Sequence, residues 1–246
     1  MPIAEIHNMQ LARAALETVQ SRSRGLPGLA VIYGPAGWGK TTALTTVANQ
    51  TRAYYIQMRS AWGRKSFLEH LMVAMGLADG RRVMAGKSIG TISQMLDQIA
   101  EQLALSDRPL LIDEADFLIK SDGMAELLRD VYEASGAAIV LSGEEMMPAK
   151  MARWERLHSR VLGWIPAQPV NLEDAKLLAP VYCRLPVADD FLAYLVKNAG
   201  GSVRRVCVNL SQAQDVAMLE GWEQIDRKTW GERPIYTGEA PARGAR

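Results

Sequence analysis

Residues 34–41 read Gly-Pro-Ala-Gly-Trp-Gly-Lys-Thr, and no other stretch limits what this chain can fold into as strongly. Gly34, Gly37 and Gly39 let the backbone curl tightly enough to turn several N–H groups inward, the geometry that cradles phosphate oxygens. The octet follows an apolar run, Leu29 to Tyr33, and precedes Thr41 to Thr51, a stretch of helical character. A strand entering such a loop and a helix leaving it bring the positive end of the helix to the same anion. In this arrangement Lys40 reaches the β- and γ-phosphates of a nucleotide such as ATP, and the Thr41 hydroxyl ligates Mg²⁺. Gly34, Pro35, Ala36, Gly37, Trp38, Gly39 and Thr42 complete the binding loop.

A loop of this kind needs carboxylates at the ends of neighbouring strands, and the chain supplies them. Pro109 to Asp113 is a continuous apolar run closed by acids, which reads as a strand buried on both faces. Asp113 then stands at the carboxyl edge of a sheet, where open α/β sheets place their ligands, and is set to hold Mg²⁺. Glu114 follows it and can orient or deprotonate an attacking water. The same position suits an acid favoured by the start of a helix. Ala137 to Ser142 is a further buried strand, and Ser142 at its end suits either a contact to the γ-phosphate or a simple turn before Gly143.

Strands alternating with helices predict an α/β fold: a parallel sheet flanked by helices. Helical periodicity is expected over Ile6 to Arg22, Ser66 to Met75, Thr91 to Leu105 and Met124 to Glu133, with a Gly- and Arg-rich loop over Ala78 to Lys87. After about Gln168 the strand signals stop, and three helices over 173–182, 187–197 and 203–219 predict a small all-helical C-terminal lid. The expected organisation is an N-terminal helix and linker over 1–28, an α/β core over 29–168, the lid over 169–230 and a flexible tail over 231–246. Hydrophobic residues at 48% and charged residues at 22% suit a globular chain with a sizeable core and exclude a fibrous or disordered one. Met1 to Gln20 carries charges and no apolar export segment, so a cytoplasmic protein without membrane attachment is expected. His7, His70 and His158 share no ligand spacing, so no structural zinc is expected.

Net charge is only +1, so any affinity for nucleic acid must come from local patches. Arg59, Arg64 and Lys65 surround Trp62 in one loop, and Arg81, Arg82 and Lys87 occupy another; such cations either neutralise phosphates without reading sequence or are merely solvated. Arg153, Arg156 and Arg160 lie beyond the Ser142 strand, where an arginine could stabilise charge on a transferring phosphoryl group. Arg204 and Arg205 follow Gly200-Gly201-Ser202, where Ser202 would cap the last long helix.

In chain order, the phosphate-binding loop, Asp113-Glu114, Ser142, Ser159-Arg160 and the Gly-Ser-Val-Arg204 turn resemble the Walker A, Walker B, sensor 1, arginine finger and sensor 2 of AAA+ ATPases. The likeness spans about residues 5–220. It implies a P-loop NTPase fold, ATP and Mg²⁺ as cofactors, and catalytic roles for Lys40, Glu114, Ser142, Arg160 and Arg204. Ser142 stands where that family commonly has Asn. Within the superfamily the layout, with an initiator-like helical insertion near 60–105, is similar to the DNA transposition ATPases of the bacteriophage Mu B and TnsC type. That resemblance implies sequence-non-specific binding of double-stranded DNA, self-association into ATP-dependent helical filaments, and recruitment or stimulation of a transposase. A replicative helicase loader would share all five motifs but bind single-stranded DNA and a helicase. A small-molecule kinase would leave Glu114 and Arg160 without a task.

Overall fold

The structure is a computed structural model that describes residues 4–239. The chain forms two compact units. One comprises Leu11–Pro35 and Lys40–Ala167; the other comprises Met1–Gln10, Ala36–Gly39 and Gln168–Arg246.

The larger unit is built on five parallel strands, β1 (Leu29–Tyr33), β2 (Tyr54–Gln57), β3 (Leu110–Asp113), β4 (Ile139–Gly143) and β5 (Val161–Pro166), in the order β2-β3-β4-β1-β5. β3 and β4 are buried along their whole length, and β1 all but its last residue, which is why they read as unbroken apolar runs. Helices α1 (His7–Gln20), α2 (Lys40–Thr51), α3 (Arg64–Ala74), α4 (Gly80–Met84), α5 (Ile92–Ser106) and α6 (Asp122–Ser135) alternate with the strands. Phe67, Leu71, Ile99, Leu103, Leu128 and Val131 from α3, α5 and α6 close over one face of the sheet, each with almost no exposure. At ~1.5–3 kcal/mol for each fully buried large side chain, this layer alone is a major stabilising term. Local signals agree: Thr91 and Gln94 form a capping box at the start of α5, and Gly136 ends α6 in the left-handed conformation, φ 62°.

Two elements differ from the expected ones. α4 lies inside the segment expected as a loop; its five residues include Gly80 and bury none, so no hydrophobic period marks it. β5 lies where no strand is expected. It is an edge strand, largely half-exposed, interrupted by Gly163 and closed by Pro166, so neither an apolar run nor an alternation marks it. Two short helices, α7 (Met147–Met151) and α8 (Glu155–His158), connect β4 to β5.

The smaller unit holds α9 (Leu172–Tyr182), α10 (Asp189–Asn198), α11 (Val203–Glu220) and the short α12 (Arg227–Trp230). Its core is Ala175, Phe191, Leu195, Val206, Leu210 and Ala213, all nearly or fully buried. One isolated β-bridge, Val187 to Ile225, sits among these helices. Beyond α12, the backbone of Tyr236 exchanges two hydrogen bonds with the Asn209 side chain of α11, at 2.7 and 2.9 Å. The rest of the expected tail, 240–246, lies outside the described residues. No helix among the described residues is long and apolar enough to cross a membrane.

Candidate active site

The loop between β1 and α2 is bent by three glycines at positive φ: Gly34 at 158°, Gly37 at 82° and Gly39 at 88°. At Gly34 the limit is also steric, since a Cβ there would lie 2.9 Å from Ala167 Cβ. α2 opens on Lys40 with no acid in its first turn, so the positive end of the helix dipole stays uncompensated. Thr41 and Thr42 are exposed in that first turn. Lys40 Nζ donates to the carbonyl oxygens of Gly34 at 2.6 Å and Pro35 at 2.9 Å. Burial pulls the lysine pKa down, opposed by the nearby charges of Asp113 and Glu114. An anion arriving at the loop would offset the cost of burying this cation.

Parallel register sets the opposing acids. Ile112 pairs with Leu141 and Ile32 with Ser142, so Asp113, Ser142 and Ile32 stand level on neighbouring strands, ~4.8 Å apart from strand to strand, and Tyr33 is level with Gly143. Asp113 is 2% exposed and accepts a long hydrogen bond, 3.4 Å, from Tyr55 Oη. Burial, then the Asp113 charge, raises the Tyr55 pKa and keeps that phenol protonated as a donor. Glu114 has left-handed backbone dihedrals, φ 53° and ψ 38°, and leads into a 3₁₀ turn, Ala115–Phe117, without capping it through its side chain. Burial, then the Asp113 charge, raises its pKa, and Lys40 opposes the rise. Ser142 Oγ is fully buried with no hydrogen-bond partner among the described residues. An unpaired buried hydroxyl costs ~1–3 kcal/mol, a cost that a ligand oxygen would remove.

Sequence reasoning missed Asp116. Its Oδ2 accepts from the Glu144 backbone N–H at 2.6 Å and its Oδ1 from Lys150 Nζ at 2.8 Å, while Lys150 also pairs with Glu144 at 2.9 Å. This network ties the turn after β3 to the turn after β4, and therefore Glu114 to Ser142. It also explains Gly143, where a Cβ would fall 2.5 Å from Asp116 Oδ2 and 2.2 Å from Met147 Sδ. The only sequence signal is an acid two residues beyond Glu114.

In the smaller unit, the Arg204 N–H and the Ser202 hydroxyl both donate to the Gly37 carbonyl, at 3.2 and 3.4 Å. Arg205 is tied back to the Ala199 carbonyl, whereas Arg204 is exposed. Buried Asn8, another residue that sequence reasoning missed, donates to the Trp38 and Gln168 carbonyls at 2.7 and 2.8 Å and accepts from Gln168 N–H at 2.8 Å. Its position inside the first turn of α1 is an ordinary helix-start position, which hides the role.

Arg160 is not brought to the Lys40 end. Its carbonyl accepts from Leu29 N–H at 3.0 Å, at the amino edge of the sheet, so the length of β1, ~16 Å at ~3.3 Å per residue, separates it from Gly34 in the same chain. Arg153 and Arg156 are exposed nearby. Arg59, Arg64, Lys65, Arg81, Arg82 and Lys87 are all exposed. Lys65 Nζ reaches Ser88 Oγ at 3.2 Å, which brings the two basic segments together. Trp62 stacks on His70 at 4.1 Å, beneath Arg59 at 5.6 Å.

A model of a family described as "AAA domain" matches residues 22–150, more than half of the chain. The chain belongs to the AAA domain family. The AAA domain is 27% identical over 119 residues to the replication factor C large subunit of Picrophilus torridus, covering 45% of this chain and 25% of that one. Its fold is similar to Cdc6p from Pyrobaculum aerophilum (TM-score 0.63, 15% identity, 92% of this chain and 65% of that chain). It is also similar to the Aeropyrum pernix ORC1 protein solved in complex with DNA (TM-score 0.61, 17% identity, 92% and 64%). A third likeness is to the RuvB Holliday junction branch migration motor of Thermotoga maritima (TM-score 0.58, 17% identity, 90% and 65%). The chain thus spans a quarter of the curated relative and just under two thirds of these solved chains; at such identities the structures share the AAA domain's fold.

Proposed function

We propose that this AAA domain is an ATP-gated switch that binds double-stranded DNA without sequence preference, assembles on it as a helical oligomer and recruits a transposase. The observation that carries the DNA reading is the gathering of six exposed cations on two adjoining segments of a chain whose net charge is only +1. Such a patch neutralises backbone phosphates and reads no bases.

The residues at the carboxyl edge support the hydrolytic part. Lys40 would exchange the Gly34 and Pro35 carbonyls for phosphate oxygens. Ser142 Oγ would gain the partner it lacks, and Glu114 would hold and deprotonate the attacking water. Thr41 and Asp113 would hold Mg²⁺. Phosphate oxygens and water would complete its shell. When bound, the ion neutralises charge on the β- and γ-phosphates. Arg160 would act on the nucleotide of a second copy.

A second reading, an initiator- or loader-type ATPase acting on a helicase, draws support from the match to replication factor C and the likeness to Cdc6p and DNA-bound ORC1. Gel shifts with duplex and single-stranded DNA, each with and without ATP, separate the two. ATP-dependent retention of duplex DNA, with stimulation of a transposase in a strand-transfer assay, is the expected result. Preference for single strands would move the protein to the loader class, and no binding to either would remove DNA from its function.

A further inference from the structure

We propose that Glu133 is a positioning residue for Arg160 that presents the free end of its guanidinium to the nucleotide of a second copy of this chain. The inference rests on the reading of Arg160 as acting between copies. Glu133 stands in the last turn of α6 and Arg160 directly precedes β5, so two unrelated elements bring the pair together. Arg160 Nε donates to Glu133 Oε1 at 2.5 Å. Among the described residues, neither Nη group of Arg160 makes a hydrogen bond.

Geometry makes this pairing informative. A guanidinium offers its donors in a rigid planar fork. With Nε committed to a carboxylate, the plane is set and the two Nη groups form the remaining edge, which matches two oxygens of one phosphoryl group. The pair borders a groove of about 430 Å³ lined by Arg129, Asp130, Glu133, Arg156, Ser159 and Arg160. The two other arginines of the groove make no ion pair with Glu133 among the described residues. Arg129 is held by Glu126 at 2.6 Å and by Asp130 at 2.8 Å, and the Arg156 side chain forms no ion pair among the described residues. Arg160 and Glu133 are 41% and 45% exposed, so the contact is open to a second copy and adds little to folding stability.

The test measures ATP hydrolysis against ATP concentration for the full chain, wild type, Glu133→Ala, Glu133→Gln, Arg160→Ala and Glu133→Ala/Arg160→Ala, at a protein concentration where the wild type is assembled. Glu133→Ala is expected to lower kcat roughly tenfold, within what a small misplacement of a catalytic group costs, with KM for ATP unchanged. Glu133→Gln should recover most of the rate, because its amide oxygen still accepts from Nε. In the double variant the Glu133 change should add no further loss. A wild-type or raised kcat for Glu133→Ala, an equally poor Glu133→Gln, or an equal additional loss in the Arg160→Ala background would each overturn the proposal. A wild-type rate for Arg160→Ala would instead overturn the reading of Arg160 itself.

Discussion

Glu114 holds backbone dihedrals that only glycine, asparagine and aspartate visit readily, and it does so with a side chain that caps nothing. A conformation of this kind costs ~1–3 kcal/mol and persists where the surroundings enforce it. Here the Asp116 network fixes the turn that follows, and the result is a carboxylate held half-buried beside Asp113. Glu114→Gln is expected to bind ATP and hydrolyse it ~10²–10⁴-fold more slowly, the usual worth of a general base. Because burial and Asp113 raise the wild-type pKa, hydrolysis should fall as pH drops through a value above the ordinary carboxylate range, and a pH-rate profile checks this. The same shift carries a stability consequence of opposite sense. The fold tolerates the protonated acid and penalises the ionised one, so the contribution of Glu114 is intact below about pH 4.5 and is lost as pH rises through the elevated value. Glu114→Gln should therefore melt at a higher temperature than wild type near neutral pH, with the gap closing in acid. Equal melting curves at both pH values would show that the site does not disfavour the charge.

At the scale of elements, β2 and β3 connect the phosphate-binding end to the basic surface. The Met58 N–H donates to the Asp113 carbonyl at 2.9 Å, and Arg59 is the next residue. Lys120, beyond the turn that Glu114 opens, donates to the Ser60 carbonyl at 2.6 Å, and the Arg64 side chain lies against Gly123. Any shift of the β3 turn on nucleotide binding therefore reaches the Arg59 to Lys65 segment through backbone contacts. Lys120→Ala is expected to leave basal hydrolysis unchanged and to reduce its stimulation by duplex DNA about fivefold, at the lower end of ordinary coupling energies. Hydrolysis rates with and without DNA decide it, and unchanged stimulation would remove Lys120 from the route. None of this coupling was legible in the sequence, and the reason is general. The octet 34–41 and the run Leu110–Asp113 could be recognised because glycine spacing and double-sided burial leave a local imprint. Asp116, Asn8 and Glu133 act through partners that are distant in sequence, and β5 and α4 bury too little on any one face to impose a period.

For the whole molecule, the decisive feature is that Lys40 and Arg160 belong to opposite edges of one sheet. A guanidinium side chain reaches ~7 Å at most from its Cα, well short of the ~16 Å that β1 spans, so no rotamer of Arg160 serves its own Lys40. On the proposed reading a second copy supplies the arginine, and hydrolysis should then rise more than linearly with protein concentration. Arg160→Ala is expected to bind ATP nearly normally while losing turnover by ~10³-fold or more, as loss of a phosphate-charge stabiliser supplied by a neighbour does. Lys40→Ala should lose nucleotide binding, because its loop gives up its cation, yet it keeps an intact Arg160. Mixed at fixed total protein, the two variants build one kind of competent interface, in which Lys40→Ala lends its arginine to the phosphate-binding loop of Arg160→Ala. The mixture should exceed the sum of the separate rates. If co-assembly is confirmed by cross-linking and the mixture shows no recovery, Arg160 is not the shared residue. Arg156, which lines the same groove as Arg160 with no ion pair of its own, then takes its place as the residue to substitute next.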